Sequence, residues 1–432
     1  MDERTIEADC QSAEYRCPGE SYTIDRAVHL GRLAAFYPAC RQCVHRTDTH
    51  ALSPLQARQW DEVERRVRRG PCFTSEGLEG TSPHDVDGAI ARRAGEALGK
   101  LLTRERIKLP PPTVLVGTPG DAVTAELVAA ACAALQWAGC HTLEVGAATS
   151  ASLAAATRHL NGDAAMLIGN ASGEPHAISL KFWGSESRPW SSPGGLDRLR
   201  EQYVAPSDRP TRRAGTLARA VAGEIYLAPL VSLFHGLRPL RFVLDTRCEV
   251  VHDYLHCLNA QAACEILRPR ASQGAGIARA ETPFAERRAG LISRAVQVEA
   301  AHFGLWIDGD GERCRLFDEH GRAVDGESLL LLLGGYVCRQ QPGAALVLER
   351  DAGERLVGEL TRRGANTVRC AASRQETCEA MRRAGAVFGG GPSGRFWYGE
   401  EAGAPDALMT LSLLLTILSQ SDRPLSEVLD AA

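Results

Sequence analysis

From Cys72 onward the sequence alternates short apolar runs with longer segments whose apolar residues recur at helical spacing. The first clear pair is the apolar run at 114–117 followed by the alanine-rich segment Thr124–Trp137. Alternation of this kind predicts strand–helix units and largely parallel sheets. We therefore predict an α/β fold class with three similar modules in succession, at residues 71–209, 210–328 and 329–432.

The composition sets limits on partners and compartment. The 432 residues are 44% hydrophobic and 24% charged with a net charge of −4, so we expect neither nucleic acid nor a membrane as a partner. No apolar run reaches about 18 residues, and the acidic, polar N-terminus does not resemble a signal peptide. The 14 cysteines are scattered through predicted core elements, as reduced thiols are. We expect a cytoplasmic protein.

An acidic segment follows the strand-like run Phe303–Ile307. Asp308, Asp310 and Glu312 alternate there with glycines, and side chains at i, i+2 and i+4 of an extended chain share one side. Three oxygen ligands converging in this way suit Mg²⁺. A plain acidic turn is the alternative. An EF-hand loop is not favoured, because it needs glycine where Arg313 stands.

Residues 1–70 form a separate N-terminal Cys/His segment. We predict a zinc site from Cys17, Cys40, Cys43 and His45, with His29 as the other histidine candidate. Chance clustering in a cysteine-rich chain is the open alternative. A redox Cys-x-x-Cys is less favoured without a preceding strand, and a polar helix is predicted at 54–69.

Two further glycine-containing loops follow predicted strands. Ser172 lies in the loop after the strand at 165–168, and Ser393 lies in the loop after the strand at 386–388. Loops at the carboxyl ends of parallel strands are where α/β proteins place binding and catalytic groups. Ser172, taken alone, fits an ordinary turn serine.

Together these loops resemble the α-D-phosphohexomutase superfamily. The matching segments come in the order expected for that family, from about Cys72 to the C-terminus. They are Phe73-Thr-Ser-Glu-Gly-Leu-Glu-Gly80, Asn170-Ala-Ser-Gly-Glu-Pro175 with Ile178-Ser-Leu-Lys-Phe182, Asp308-Gly-Asp-Gly-Glu-Arg313 with Phe317-Asp-Glu-His-Gly321, and Gly389-Gly-Gly-Pro-Ser-Gly-Arg395. The resemblance implies three α/β modules with mixed sheets around a shared cleft.

The resemblance also implies a reaction and its residues. In this family a phosphorylated serine, here Ser172, exchanges a phosphoryl group with a hexose phosphate, so the implied activity is that of an intramolecular phosphotransferase in carbohydrate metabolism. Lys181 matches the lysine beside the reacting hydroxyl. The implied Mg²⁺ ligands are Ser172, Asp308, Asp310 and Glu312, and the implied substrate-binding residues are Arg313, Ser393 and Arg395.

The motifs depart from the family pattern where chemistry is expected. Glu79 replaces an arginine, Glu312 an aspartate, Gly391 a glutamate and Arg395 a histidine. The chain also ends 14 residues after an apolar segment at 411–418, so no fourth domain is expected. A protein partner or oligomer is an expected means of completing the cleft. Two functions stay open: a divergent phosphohexomutase, and a catalytically impaired homologue that binds a sugar phosphate or a protein.

Overall fold

The computed structural model describes residues 15–18, 21–35, 37, 39–40, 43–49, 52–54, 56–57, 60, 73–83, 85–105, 110–120, 124–172, 176–205, 214–260, 262–269 and 284–431. The chain divides into two compact units. One comprises Met1–Cys72 with Gly80–Asp87, and the other comprises Phe73–Glu79 with Gly88–Ala432.

The described strands are numbered in chain order. They are β1 Tyr15–Arg16, β2 Thr23–Ile24, β3 Leu78–Thr81, β4 Thr113–Thr118, β5 His141–Ala147, β6 Ala164–Gly169, β7 Ala177–Trp183, β8 Leu217–Arg219, β9 Arg241–Thr246, β10 Glu265–Leu267, β11 Phe303–Ile307, β12 Cys314–Phe317, β13 Ala345–Glu349, β14 Asn366–Cys370, β15 Phe388–Gly390 and β16 Phe396–Tyr398.

The described α-helices are numbered in the same way. They are α1 Arg26–Ala34, α2 Gly88–Glu105, α3 Thr124–Trp137, α4 Ser150–His159, α5 Gly195–Val204, α6 Ala222–Leu230, α7 Glu249–Asn259, α8 Phe284–Val298, α9 Gly326–Gln340, α10 Glu354–Arg362, α11 Arg374–Ala384, α12 Ala407–Leu418 and α13 Leu425–Asp430.

One four-strand arrangement occurs three times in the chain. The strand orders β5–β4–β6–β7, β10–β9–β11–β12 and β14–β13–β15–β16 are equivalent, and β3 and β8 extend the first sheet at its two edges. In each case the inner strands are parallel and the last strand is antiparallel to its neighbour. This confirms the predicted α/β fold with mixed sheets and its internal repeat.

Local sequence explains where several helices begin and end. The Thr149 side chain accepts a hydrogen bond from the Ser152 N–H, and the Ser152 side chain accepts one from the Thr149 N–H. This capping box starts α4. Gly385 ends α11 in the left-handed conformation that glycine adopts without strain. Helix α12 is apolar on every side, and it is buried in the core that joins the second and third modules.

The structure contains helices and strands that the sequence analysis did not predict. Helices α2, α5 and α6 were not predicted, and neither were the short strands β8, β12 and β16. Most of the helix predicted at 54–69 and the stretch around Arg209 lie outside the described residues.

The twelve cysteines that the structure describes are unbridged, and all but Cys257 are buried. Among the described helices, none is long and apolar enough to cross a membrane.

Candidate active site

Three loops occupy the same position in the three modules, each between the last parallel strand and its antiparallel neighbour. They are the serine loop (170–176), the acidic turn (308–313) and the module III loop (391–395). Within the serine loop, residues 173–175 lie outside the described residues. The repeat therefore brings each of the predicted site loops to an equivalent edge of its sheet.

The acidic turn closes a hairpin, because β11 and β12 pair with Ile307 opposite Cys314. The Asp308 N–H donates to the Arg313 carbonyl at 3.0 Å, and the Glu312 N–H donates to Asp308 Oδ1 at 2.8 Å. Gly311 reverses the chain with φ +78°. The extended geometry that we assumed from the sequence is therefore wrong for this turn, although Asp310 and Glu312 both reach the Lys181 ammonium.

Backbone hydrogen bonds join the acidic turn to the neighbouring loops. The Gly309 N–H donates to the Ala171 carbonyl of the serine loop at 3.1 Å, and the Cys314 N–H donates to the Gly394 carbonyl of the module III loop at 3.0 Å. The Ser150 N–H, in the first turn of α4, donates to the Asp310 carbonyl at 2.9 Å. Loops from all three modules therefore meet at the acidic turn.

Ser172 is exposed in the serine loop. Its hydroxyl lies 3.4 Å from Oδ1 of Asn170, a residue that is itself buried. Because Ala171 is bonded to Gly309, the Ser172 backbone is one residue away from direct contact with the acidic turn.

Lys181 lies on β7 with only 3% of its side chain exposed. Its ammonium is 2.5 Å from Asp310 Oδ2 and 2.9 Å from Glu312 Oε2. Burial alone would lower the pKa of Lys181, but Asp310 and Glu312 raise it above its ordinary value. The side chain is therefore an ammonium at neutral pH.

Glu312 contacts two more cations, both from module III. Glu312 Oε1 lies 2.9 Å from Arg374 Nε, and Glu312 Oε2 lies 3.1 Å from an Arg395 terminal nitrogen. Burial alone would raise the pKa of Glu312, but Arg374, Lys181 and Arg395 hold it well below its ordinary range. Sequence reasoning missed Arg374, which stacks on the Trp183 ring with its guanidinium carbon 4.4 Å from the ring centroid.

Asp308 and Asp310 have less positive charge around them. Burial and the nearby Asp310 raise the pKa of Asp308 well above its ordinary value. Asp310 Oδ1 is buried, and no donor among the described residues reaches it. The other oxygen, Asp310 Oδ2, contacts the Lys181 ammonium, and the Ser150 hydroxyl lies 3.4 Å from the same oxygen. A buried carboxylate oxygen of this kind favours a further cation.

Arg395 is buried and forms a two-pronged ion pair with Glu76. Burial alone would raise the pKa of Glu76, but the Arg395 guanidinium lowers it below its ordinary value. Glu79 replaces an arginine of the family motif, and no ion pair to it occurs among the residues that the structure describes. Burial raises the pKa of Glu79. Arg313 is exposed on the acidic turn, and its backbone is bridged to that of Arg395.

Ser393 is held by Glu349, which ends β13. The Ser393 N–H donates to Glu349 Oε2 at 3.0 Å, and its hydroxyl is bonded to Oε1. A Cβ at Gly391 would overlap the Glu349 side chain. The residue at 391 is therefore small because a carboxylate from the neighbouring strand fills that space.

Only part of the predicted metal-ligand set fits Mg²⁺. Within the described ranges, no three His, Cys, Asp or Glu side chains form a group that could hold a metal ion. Asp308 and Asp310 fit, because both are buried and Asp310 Oδ1 has no donor. Glu312 does not fit, because its oxygens already contact three cations.

The N-terminal unit holds the residues of the predicted zinc site. Tyr15 stacks on His29 with ring centroids 4.0 Å apart and meets His45 edge-on at 5.2 Å. Cys17 Sγ accepts from Arg32 at 3.0 Å, whereas Cys40 packs with Leu33 and Trp60. Cys43 is buried. No metal-holding group of three forms among the described residues, so the zinc site stays a prediction.

Comparisons with known proteins show what the chain is similar to. A model of phosphoglucomutase/phosphomannomutase α/β/α domain III matches residues 325–432. A phosphoglucosamine mutase from Moorella thermoacetica is 29% identical over 378 residues, covering 83% of this chain and 81% of that protein. A protein named phosphohexose mutases from Xanthomonas campestris pv. campestris is 24% identical over 367 residues, covering 84% of this chain and 80% of its own length.

Along more than four fifths of its length the chain is similar to members of the α-D-phosphohexomutase superfamily. The fold agrees, since the crystal structure of a phosphoglucomutase/phosphomannomutase family protein from Burkholderia thailandensis matches with a TM-score of 0.69 at 20% identity. That match covers 83% of this chain and 79% of the other. The superfamily relatives are phosphomutases, which supports an enzyme of that general kind with a phosphohexose mutase role.

Proposed function

We propose that this protein is a phosphohexose mutase that moves a phosphoryl group between two hydroxyls of one hexose phosphate through a phosphorylated Ser172. The observation that carries the proposal is the Gly309–Ala171 hydrogen bond of 3.1 Å. This hydrogen bond holds the backbone of the serine loop against the acidic turn. Transfer of a phosphoryl group from Ser172 requires the serine to lie close to the groups that would bind the cation.

Asp308 and Asp310, with the Ser172 phosphate, are the residues proposed to hold Mg²⁺. A divalent cation there would neutralise negative charge on the transferred phosphoryl group. The buried Asp310 Oδ1 without a donor, and the raised pKa of Asp308, support this assignment.

Lys181 is proposed to stabilise charge at the reacting oxygens. In the transfer, a sugar hydroxyl oxygen forms a bond to phosphorus and gives up its proton. The bond between phosphorus and Ser172 Oγ breaks, and Ser172 Oγ takes up a proton. Because the pKa of Lys181 is raised, its ammonium suits electrostatic stabilisation or proton donation to the serine oxygen better than proton abstraction.

Arg313, Ser393 and Arg395 are proposed to bind the sugar phosphate. Arg313 is exposed at the edge of the acidic turn. Arg395 is paired with Glu76, so a substrate phosphate would compete with that carboxylate for the guanidinium. Ser393 is fixed by Glu349, which orients its hydroxyl.

The test is a panel of hexose and hexosamine 1- and 6-phosphates, incubated with Mg²⁺ and a hexose 1,6-bisphosphate and followed by phosphorus NMR. We expect interconversion of one pair, lost in Ser172→Ala. Ser232→Ala is the matched control, because Ser232 is exposed and its hydroxyl bonds only locally, to Pro229 at 3.2 Å. A folded wild-type protein that converts no member of the panel contradicts the proposal.

The second candidate is a sugar-phosphate-binding protein without turnover. The cations around Glu312 favour it, because they occupy a carboxylate that the resemblance assigns to Mg²⁺ binding. Calorimetric binding of a hexose phosphate without conversion would support this candidate.

A further inference from the structure

We propose that Glu312 is a positioning residue that fixes Lys181, Arg374 and Arg395, and that it is not a third metal ligand. The inference refines the Mg²⁺ site proposed above and rests on it. It concerns the one acidic position at which the turn has glutamate where the family motif has aspartate.

Contacts with three cations set Glu312 apart from the two aspartates, which are also buried. The Glu312 and Arg374 side chains are 0% exposed, and those of Lys181 and Arg395 are 3% and 4% exposed. All three cations lie within 3.1 Å of a Glu312 oxygen. Taking Glu312 to a metal would leave Arg374 buried without its anion, which is strongly unfavourable.

The length of the side chain explains why glutamate stands here. The Glu312 N–H donates to Asp308 Oδ1 at 2.8 Å, which fixes the local backbone conformation of the turn at this position. The additional methylene extends the carboxylate by about 1.5 Å. This extension lets one carboxylate span cations from β7, from the start of α11 and from the module III loop.

Arg374 depends on Glu312 more than the other two cations do. Lys181 also contacts Asp310, and Arg395 also contacts Glu76. The Arg374 terminal nitrogens are buried, and no acceptor among the described residues bonds them. Glu312 is thus the carboxylate that contacts Arg374, while Trp183 packs against the guanidinium face.

The proposal is tested with Mn²⁺ binding to metal-free protein, followed by electron paramagnetic resonance. Glu312→Asp keeps the charge and removes one methylene, and Asp310→Glu makes the reverse change at a proposed ligand. We expect the Mn²⁺ dissociation constant of Glu312→Asp to stay within about threefold of the wild-type value. We expect that of Asp310→Glu to be about tenfold higher or more. A tenfold loss in Glu312→Asp overturns the proposal.

A thermal double-mutant cycle tests the same role without metal. Glu312→Gln and Arg374→Gln should each lower Tm, and the double variant should lower it by clearly less than the sum, because the two side chains interact. Additive shifts overturn the positioning role. If wild type binds no Mn²⁺, the proposed metal site fails, while this cycle still decides the role of Glu312.

A kinetic measurement separates positioning from general stability. With a sugar phosphate that turns over, Glu312→Asp should raise the KM for that substrate several-fold and leave the Mg²⁺ concentration needed for half-maximal rate unchanged. A raised Mg²⁺ requirement with an unchanged substrate KM overturns the inference.

Discussion

Gly309 donates its backbone N–H to the carbonyl oxygen of Ala171 at 3.1 Å, which joins the acidic turn of the second module to the serine loop of the first. The Cys314 N–H makes the equivalent connection to Gly394 of the third module at 3.0 Å. Because both contacts use backbone atoms, the meeting of the three loops depends on backbone conformation as well as on the charged side chains.

The first prediction concerns the glycine at the module II–module III contact. Gly394 has φ +76°, and a Cβ there would lie 2.6 Å from the Cys314 carbonyl oxygen. Gly394→Ala should therefore lower the free energy of unfolding by about 2–4 kcal/mol, from backbone strain plus this clash. Chemical denaturation measures the loss.

Gly399→Ala is the control for Gly394→Ala. Gly399 has a similar φ of +83°, but a Cβ there would meet nothing within 4 Å. It should show only the backbone strain, about 1–2 kcal/mol. Equal losses in the two variants would contradict the importance of the contact with Cys314.

The second prediction concerns the space beside Gly391. Gly391→Ala should displace the Glu349 side chain from Ser393, because the added Cβ overlaps that side chain. The free energy of unfolding should fall by about 1–3 kcal/mol. Glu349→Ala in the same chain should recover part of the loss, because it vacates the space. The free energy of unfolding of the single and double variants measures this, and a double variant as unstable as the sum of the two would argue against the contact.

The third prediction concerns the ion pair that occupies Arg395. Glu76→Gln removes the competing carboxylate, so binding of a hexose phosphate should tighten by about three- to tenfold if Arg395 binds the substrate phosphate. Isothermal titration measures the Kd. Glu79→Gln is the comparison, since no ion pair joins Glu79 to Arg395 among the described residues. Unchanged or weaker binding in Glu76→Gln would remove Arg395 from the proposed substrate site.

The fourth prediction is a pH dependence of stability through Asp406. Burial raises the pKa of Asp406 to about 6, although hydrogen bonds from the Met409 N–H and the Tyr226 hydroxyl favour the ionised form. The folded protein therefore holds this proton more tightly than the unfolded chain. The stabilisation is present below about pH 4 and is lost as the pH rises to about 6, by about 3 kcal/mol.

The asparagine in Asp406→Asn cannot titrate, so the variant should lack this part of the pH dependence of the free energy of unfolding. The difference in unfolding free energy between wild type and Asp406→Asn, measured by denaturation from pH 4 to pH 7, should change by up to about 3 kcal/mol in favour of the variant. The control is Asp422→Asn, which removes an exposed carboxylate. Parallel pH profiles for wild type and Asp406→Asn would contradict the assignment.

The sequence predicted the modules well because strand and helix periodicity is local information. The helical segment Thr124–Trp137 was predicted with the bounds that the structure has. The acidic turn was placed correctly at the end of β11, but its conformation was not, because Gly311 reverses the chain.

The partners of the site residues were beyond sequence reasoning. Arg374 begins a helix 62 positions after Glu312, and nothing in its local sequence indicates that it meets the acidic turn. Glu76 and Glu349 likewise acquire their roles only when the modules pack together. Long-range ion pairs of this kind depend on tertiary packing, which a local pattern does not encode.

The central claim is that Ser172 carries the transferred phosphoryl group. The most direct measurement is mass spectrometry of the protein after incubation with a hexose 1,6-bisphosphate and Mg²⁺, with peptide mapping of the phosphorylated site. We predict one phosphoryl group on Ser172, removed when hexose monophosphate is added and absent in Ser172→Ala. A folded protein that acquires no phosphate, or acquires it only at another residue, would contradict the account.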